Sequence, residues 1–474
     1  MVVGEWVSIS IPLCHYEKHL DLTKAYVLRA RLGGYGGMEV YIDNIFAYKG
    51  DPIEGSLVAK DCEDVGPTEP IQDSSSGTLP SRDNAFLGVN LASASGGTVP
   101  GTLGTNYRYP KLEDLYYFNA KGVKLFRLPF RWKRIQSELG GPLVAQDINA
   151  MKDVVKEAER LGIWVMLDMH DFGTYGLNDT TFAVDGRYKV KNANGYWGPW
   201  KTADGVTNRD LSADFADVWG KLANEFKGFT NIWGYDLMNE PIDTDINMLR
   251  DSYQRVIDKI RAVDTKAAII FEGNNYASAS QWPSVSDALK DLTDPIGNNI
   301  IYQAHTYFDN NMSGTYDEDY DVEVTDFNVY KKRLDPFINW CKTNGKKGML
   351  GEFGVPYNGA KFSDPRYMVL IDSVFSYLKQ HQLTSTYWCA GAFYETNHIT
   401  VQPDKDYATE KSTMLIMDKY IRDFHQGTSS ISEIESDDIQ ISLSPNPVAD
   451  NLTISAQTTI ETIRIFNMYG QKVY

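Results

Sequence analysis

Positive charge is in short supply. The 474 residues carry 46 Lys and Arg against 63 Asp and Glu, a formal net charge of −17. A chain of that sign repels phosphate backbones, so nucleic acid is not an expected partner. Cysteine is scarce as well. The four present, Cys14, Cys62, Cys341 and Cys389, lie far apart with no Cys-x-x-Cys pair, which argues against a disulfide framework or a zinc knuckle. No apolar run approaches the 18 or so residues of a membrane span. Residues 1–10 lack the basic and long apolar regions of an export signal. Disorder is excluded for most of the chain, because 42% hydrophobic and 23% charged residues is ordinary globular usage.

Aromatic residues are what the chain has in quantity: 10 Trp, 29 Tyr and 20 Phe, or 12%. Each can fill a core or offer a flat platform to a sugar ring, and position must decide between these uses. Composition shifts at residues 49–84, rich in Gly, Pro, Ser, Asp and Glu, and at 427–438, where Ser, Glu and Asp dominate. Both read as linkers. They leave a body at 85–426 between an N-terminal piece, 1–48, and a tail, 439–474. The N-terminal piece alternates apolar and polar residues at 6–11, 25–32 and 38–45, with a Gly-rich turn at 33–37. That is the pattern of a β-sandwich fragment, too few strands to cover both faces, so it reads as truncated.

In the body, short apolar runs at 86–91, 123–128, 164–168, 232–238, 267–272, 300–304, 348–352 and 385–390 alternate with amphipathic stretches such as 150–161, 215–226, 248–263 and 327–343. Eight strands each followed by a helix predict an α/β fold, the (β/α)8 TIM barrel. A doubly wound open sheet is the alternative, and no Gly-x-Gly-x-x-Gly opens a helix after the first strand. Barrel chemistry gathers at the C-terminal ends of strands. Those ends carry Asn90, Arg127, His170, Asn239 with Glu240, His305 with Tyr307, Glu352, and Trp388.

Two of these ends stand out. The run 232–241 is an apolar strand closing on Asn239-Glu240-Pro241, and 349–354 closes on Glu352 between glycines. About three βα units separate them, which places them across the barrel mouth, facing one space. Two opposed carboxyls suit glycoside hydrolysis: one stays protonated to assist the leaving oxygen while the other stays ionised to attack the anomeric carbon. Strict alternation would send Asn239 and Glu240 to opposite faces, so a bulge or bend at this strand end is also required.

Met238-Asn239-Glu240-Pro241 and Leu350-Gly351-Glu352-Phe353-Gly354 resemble the two signatures of glycoside hydrolase family 5, the cellulase family A. Phe126-Arg127-Leu128-Pro129, Leu167-Asp168-Met169-His170-Asp171, Ala304-His305-Thr306-Tyr307 and Tyr387-Trp388-Cys389-Ala390-Gly391 extend the likeness over the whole body. Residues 88–100 and Gln281-Trp282-Pro283-Ser284 are similar to its endo-acting β-1,4-glucanases. The resemblance implies Glu240 as general acid/base and Glu352 as nucleophile of a retaining mechanism, with carboxyls about 5 to 5.5 Å apart. It further implies that Asn239 bonds the sugar 2-hydroxyl and that Tyr307 and Arg127 hold Glu352 ionised. His170 and His305 would floor the site, Trp388 would stack on the cleaved ring, and the Trp388–Cys389 peptide would be cis. Tyr175 and Trp282 are placed at the cleft, and Trp197 and Trp200 either extend a groove or pin the 177–208 insertion. Residues 40–45 resemble the closing strand of carbohydrate-binding modules. The tail resembles the C-terminal sorting domain of type IX secretion, likewise truncated, which implies a secreted or cell-surface protein.

The expected partner is a β-glucan, met by a monomer without cofactor or metal. Asp168, His170 and His305 could suggest a metallohydrolase, but no His-x-His pair or further Asp cluster supplies a ligand set. An Asp-rich loop at 317–321 reads as solvated, with structural calcium as the other reading. The remaining alternatives are the same mechanism on mannan, xyloglucan or mixed-linkage glucan, and a non-catalytic glycan-binding protein.

Overall fold

In the computed structural model, the described residues are 77–425, apart from 178–179, 194–195, 197, 203–209, 298, 405–406 and 408, with four short strands outside that span. The chain divides into two units, Met1–Ser75 and Ser76–Tyr474. In the first, Ile9–Ser10 pairs in parallel with Leu57–Val58. The remaining strands expected at 1–48 lie outside the described residues, as do those expected beyond 456. The second strand of that pair falls inside the stretch read as a linker. In the tail, Ile441–Ser444 and Thr453–Ala456 form an antiparallel pair.

The body is a closed barrel of eight parallel strands: Leu87–Leu91, Leu125–Phe130, Trp164–Met169, Ile232–Asp236, Ala268–Glu272, Ile300–His305, Lys347–Glu352 and Thr384–Ala390. Each corresponds to one of the apolar runs. Two of the helices between them begin earlier than their apolar periodicity does, because capping fixes the start. Asp210 accepts from Ser212 N to open Leu211–Phe226, and Asp245 accepts from Asn247 and Met248 N to open Ile246–Arg261.

Outward residues such as Leu87, Val89, Phe126, Leu128, Val165, Leu167, Tyr235 and Phe271 pack against the helices in the main core. Inward residues change character along the barrel axis. Phe86, Leu125, Trp164, Met166, Trp233, Ala268, Ile270, Ile301 and Met349 form a separate apolar cluster at the strand beginnings. The next inward positions are Arg127, Asp168, Asp236, Glu272 and Gln303, all fully buried.

The barrel starts before the expected residue 85. Gly77 N donates to Arg160 O at 2.9 Å, and the Trp164 indole N–H donates to Pro80 O at 3.0 Å. Arg82 lies over the Trp164 ring at 4.4 Å and donates to the carbonyls of Ile232 and Trp233. Residues 77–84 are therefore a floor under the apolar cluster rather than free linker.

The insertion after the third strand forms its own antiparallel sheet of Thr174–Leu177, Thr180–Ala183, Arg187–Val190 and Lys201–Thr202. Buried Asp185 ties it to the chain following Glu240. It accepts from Asp245 N at 2.8 Å and from Arg187 Nε at 2.8 Å, and Arg187 also donates to Asp243 O.

Candidate active site

Arg127, inward on the second strand, organises the upper half of the lumen. Nη1 donates to Glu352 Oε1 at 2.7 Å and to Asn90 Oδ1 at 3.0 Å. Nη2 donates to Glu272 Oε1 at 2.7 Å and Asn239 Oδ1 at 2.9 Å, and lies 3.1 Å from Asp168 Oδ2. Nε donates to Asp236 Oδ2 at 2.8 Å. Burial opposes its charge, but the surrounding carboxylates Asp168, Asp236, Glu272 and Glu352 hold it firmly cationic.

Glu352 ends the seventh strand. Its Oε2 accepts from the Tyr307 hydroxyl at 2.9 Å. Burial and the neighbouring Glu352 keep that phenol protonated. Gly351 just before it is needed for close approach: a Cβ there would meet Gln303 Cδ at 2.4 Å and His305 Nε2 at 2.7 Å. The register between the sixth and seventh strands shifts at the same place.

Glu240 comes to the same space by a backbone bend. The fourth strand ends at Asp236, and Glu240 itself sits at φ +46°, in the left-handed region. That turn resolves the alternation problem, since it re-aims Glu240 while Asn239 still reaches Arg127. Glu240 Oε1 is 2.8 Å from His305 Nδ1. One carboxylate oxygen each of Glu240 and Glu352, with a nitrogen of His305, all lie within 4.8 Å of one another. Burial lifts the Glu240 carboxyl to about 7, with the negative Glu352 adding to the shift and the His305 hydrogen bond opposing it.

The two histidines differ. Burial drives His170 down to about 3, so its ring is neutral, with Nδ1 2.9 Å from Asp168 Oδ2. Burial would do the same to His305, but Glu272 and Glu352 raise it well above the ordinary imidazole value. The His170 ring stacks on Trp388 with centroids 5.3 Å apart and planes 11° from parallel. The Trp388–Cys389 peptide is cis. Asn239 is fully buried, and its Nδ2 has no hydrogen-bond partner among the described residues.

Glu240, Glu352, Arg127, His170, Asn239, His305, Tyr307 and Trp388 are thus brought together. Two expected cleft residues are not. Tyr175 is buried, its ring edge-on to Trp132 and its hydroxyl donating to the carbonyls of Gln136 and Ser137. It fastens the insertion to the chain after the second strand. Trp282 is fully buried between helices, 4.8 Å from the Phe337 ring and 5.6 Å from Trp340. It is a core residue. Trp200 lies under Lys189 and Arg187, 4.3 and 5.3 Å from its centroid, which is the pinning arrangement. Trp197 lies outside the described residues.

Sequence reading passed over Glu272 and Gln303. The signal was available, because Ile270-Phe271-Glu272-Gly273 closes an apolar strand on a carboxylate in the same way as Glu352 does. Two trios offer ligand atoms close enough for a metal: Glu240, His305 and Glu352, and Asp168, Asp236 and Glu272. The second already encloses the Arg127 guanidinium as its cation.

Known proteins resemble this chain over most of its length. Residues 88–393 match the family pattern of Cellulase (glycosyl hydrolase family 5), and residues 442–474 match the Secretion system C-terminal sorting domain. Endo-beta-1,4-glucanase B of Emericella nidulans is 28% identical over 324 residues, 67% of this chain and 86% of that protein. Endoglucanase EG-II of Hypocrea jecorina is 27% identical over 355 residues, 70% of this chain and 76% of that protein. The structure of Pseudomonas stutzeri endoglucanase Cel5A in complex with cellobiose is 30% identical, with a TM-score of 0.60 over 73% of this chain and 95% of that one. No helix among the described residues is long and apolar enough to cross a membrane.

Proposed function

The chain belongs to glycosyl hydrolase family 5, and on that premise we propose that it is a retaining endo-β-1,4-glucanase acting on cellulose or related β-glucans, with Glu352 as nucleophile and Glu240 as general acid and base. Glu352 attacks the anomeric carbon while protonated Glu240 gives its proton to the departing glycosidic oxygen. A glycosyl ester on Glu352 results. Glu240, now a carboxylate, takes a proton from the water that breaks that ester.

Arg127 and Tyr307 hold the two oxygens of Glu352. This keeps the nucleophile oriented as its charge moves to the sugar and back. The unpartnered Asn239 Nδ2 is a donor for the sugar 2-hydroxyl, and Trp388, backed by His170, gives the ring a flat support. The observation that carries the reading is the approach of one oxygen each of Glu240 and Glu352 to within 4.8 Å, close enough for both carboxyls to act on one anomeric centre. All of these residues belong to one chain, so a monomer suffices. The sorting domain fits a site of action at the cell surface or beyond it, where polymeric glucan is met.

Glu352→Ala is expected to abolish release of reducing ends from carboxymethyl cellulose while the circular dichroism spectrum is kept; residual activity near wild type would remove Glu352 from this role. Glu240→Ala is expected to regain turnover of an activated aryl cellobioside on adding azide. Product profiles on β-glucans and β-mannans then fix the backbone preferred, with early mid-length oligosaccharides from β-1,4-glucan as the expected pattern.

A further inference from the structure

Three carboxylates around Arg127 take no part in the reaction just described: Asp168, Asp236 and Glu272. Asp168 and Asp236 each engage through Oδ2, and the Oδ1 of each has no hydrogen-bond partner among the described residues. Glu272 differs in using both oxygens, and both lead to Glu240. Its Oε2 accepts from the Glu240 main-chain N–H at 2.7 Å. Its Oε1 accepts from Arg127 Nη2 at 2.7 Å and from Gln303 Nε2, and lies 3.3 Å from His305 Nε2. The other nitrogen of that imidazole is the one 2.8 Å from Glu240 Oε1.

We propose that Glu272 is a positioning residue for the general acid: it grips Glu240 at the main chain and, through a doubly protonated His305, at one carboxyl oxygen, and so fixes which oxygen carries the proton to the leaving group. The proposal rests on the reading of Glu240 as acid/base. An imidazolium donates from Nδ1 to Oε1, which leaves Oε2 of Glu240 to hold the transferable proton. A neutral imidazole would offer Nδ1 a lone pair instead, and the Glu240 proton would be drawn to Oε1, away from the substrate. The charge on His305 is set by everything packed against it: Glu272, Glu240 and Glu352 favour the cation, with Asp168 behind them, while Arg127 and burial oppose it. Neutral Gln303 also lies against the imidazole, its Nε2 3.4 Å from His305 Nε2. Glu272 is the anion nearest Nε2, and it stays ionised. Burial disfavours its charge, but His305, Arg127 and the Glu240 N–H hold it below the ordinary carboxylate value.

The test is Glu272→Gln, assayed from pH 4 to 9 on cellotetraose and on dinitrophenyl cellobioside, whose leaving group needs no acid. The variant is expected to slow about 100-fold on cellotetraose, the scale of a misplaced catalytic group, and far less on the dinitrophenyl glycoside. Its alkaline limb in kcat/KM should move up by about one pH unit, because loss of the His305 cation raises Glu240 more than loss of the more distant Glu272 charge lowers it. Asp236→Asn removes a comparable bond to Arg127 without touching His305 or Glu240. It should slow both substrates alike and leave the limb in place. Equal slowing of both substrates by Glu272→Gln, an unmoved limb, or the same movement in Asp236→Asn would each overturn the proposal. Should Glu272→Gln not fold, ¹⁵N shifts of His305 in the wild-type enzyme decide: both ring nitrogens protonated at pH 6 supports it, and a lone pair on either overturns it. Glu240→Gln separates this from the underlying reading. If that variant shows no leaving-group dependence, the acid assignment itself fails; if it does and Glu272→Gln does not, only the role of Glu272 falls.

Discussion

The lumen of this barrel has two halves built by the same strands to opposite ends. At the strand beginnings, Leu125, Trp164, Met166, Ile270, Ile301 and Met349 pack into an apolar plug floored by Arg82. Two residues further along the same strands stand Arg127, Asp168, Glu272 and Gln303, equally buried but charged or polar. Burying each of these charges opposes folding and is repaid only by near-complete pairing. The plug holds the strands together, and that stability allows the upper half to be unfavourable. Among the described residues, two unpartnered Asp oxygens and the unpartnered Asn239 Nδ2 show how far it departs from a core optimised for stability.

The contrast can be broken most forcefully at Arg127. Arg127→Met strips the cation from four carboxylates, and the loss of stability should be about 5 kcal/mol or more, read by urea denaturation; a loss under about 1 kcal/mol would mean the upper half is not held by this ion pair network. Ile270→Ala, in the plug, should cost about 3 kcal/mol and leave the kcat/KM pH profile where it was. A shifted profile would show that the halves are not separate in function. The smallest effect belongs to Glu240→Gln. Glu240 binds its proton more tightly folded than unfolded, so its contribution is complete below the unfolded value of 4.5 and is lost as pH rises through about 7. The variant has no proton to lose. It should therefore be more stable than wild type by on the order of 2 kcal/mol above pH 7 and show no gain below pH 4.5, measured as melting temperature against pH. In the wild type, kcat/KM should fall on the alkaline side with a midpoint near the same pH.

The upper half was largely legible in the sequence because chemistry confined to strand ends leaves a short mark: an apolar run that stops on a polar residue. Glu240, His305 and Glu352 all carry it, and Glu272 does as well, while Arg127 interrupts an apolar run that continues to Phe130. What strand periodicity cannot show is the direction taken after the strand ends. Trp282 lies in a four-residue helix, Trp282–Val285, too short for any face to be read from spacing, and it turned inward among Phe337 and Trp340. Tyr175 begins a hairpin whose partner strands sit in a Gly- and Asn-rich stretch with weak alternation, so its place under Trp132 had no local sign. The start of the barrel at 77 rather than 85 was hidden because Pro80 and Arg82 look like linker composition yet work through one carbonyl and one guanidinium.

The left-handed backbone at Glu240 bears on how the enzyme can be re-engineered. A side chain with a Cβ is held there against its own conformational preference, whereas glycine adopts φ +46° freely. Glu240→Gly is then the replacement that empties the acid position while leaving the main-chain path intact, and alanine in its place keeps the strain without the His305 contact that offsets it. For chemical rescue, or for turning hydrolysis into synthesis with an activated donor, the glycine form is the better vessel.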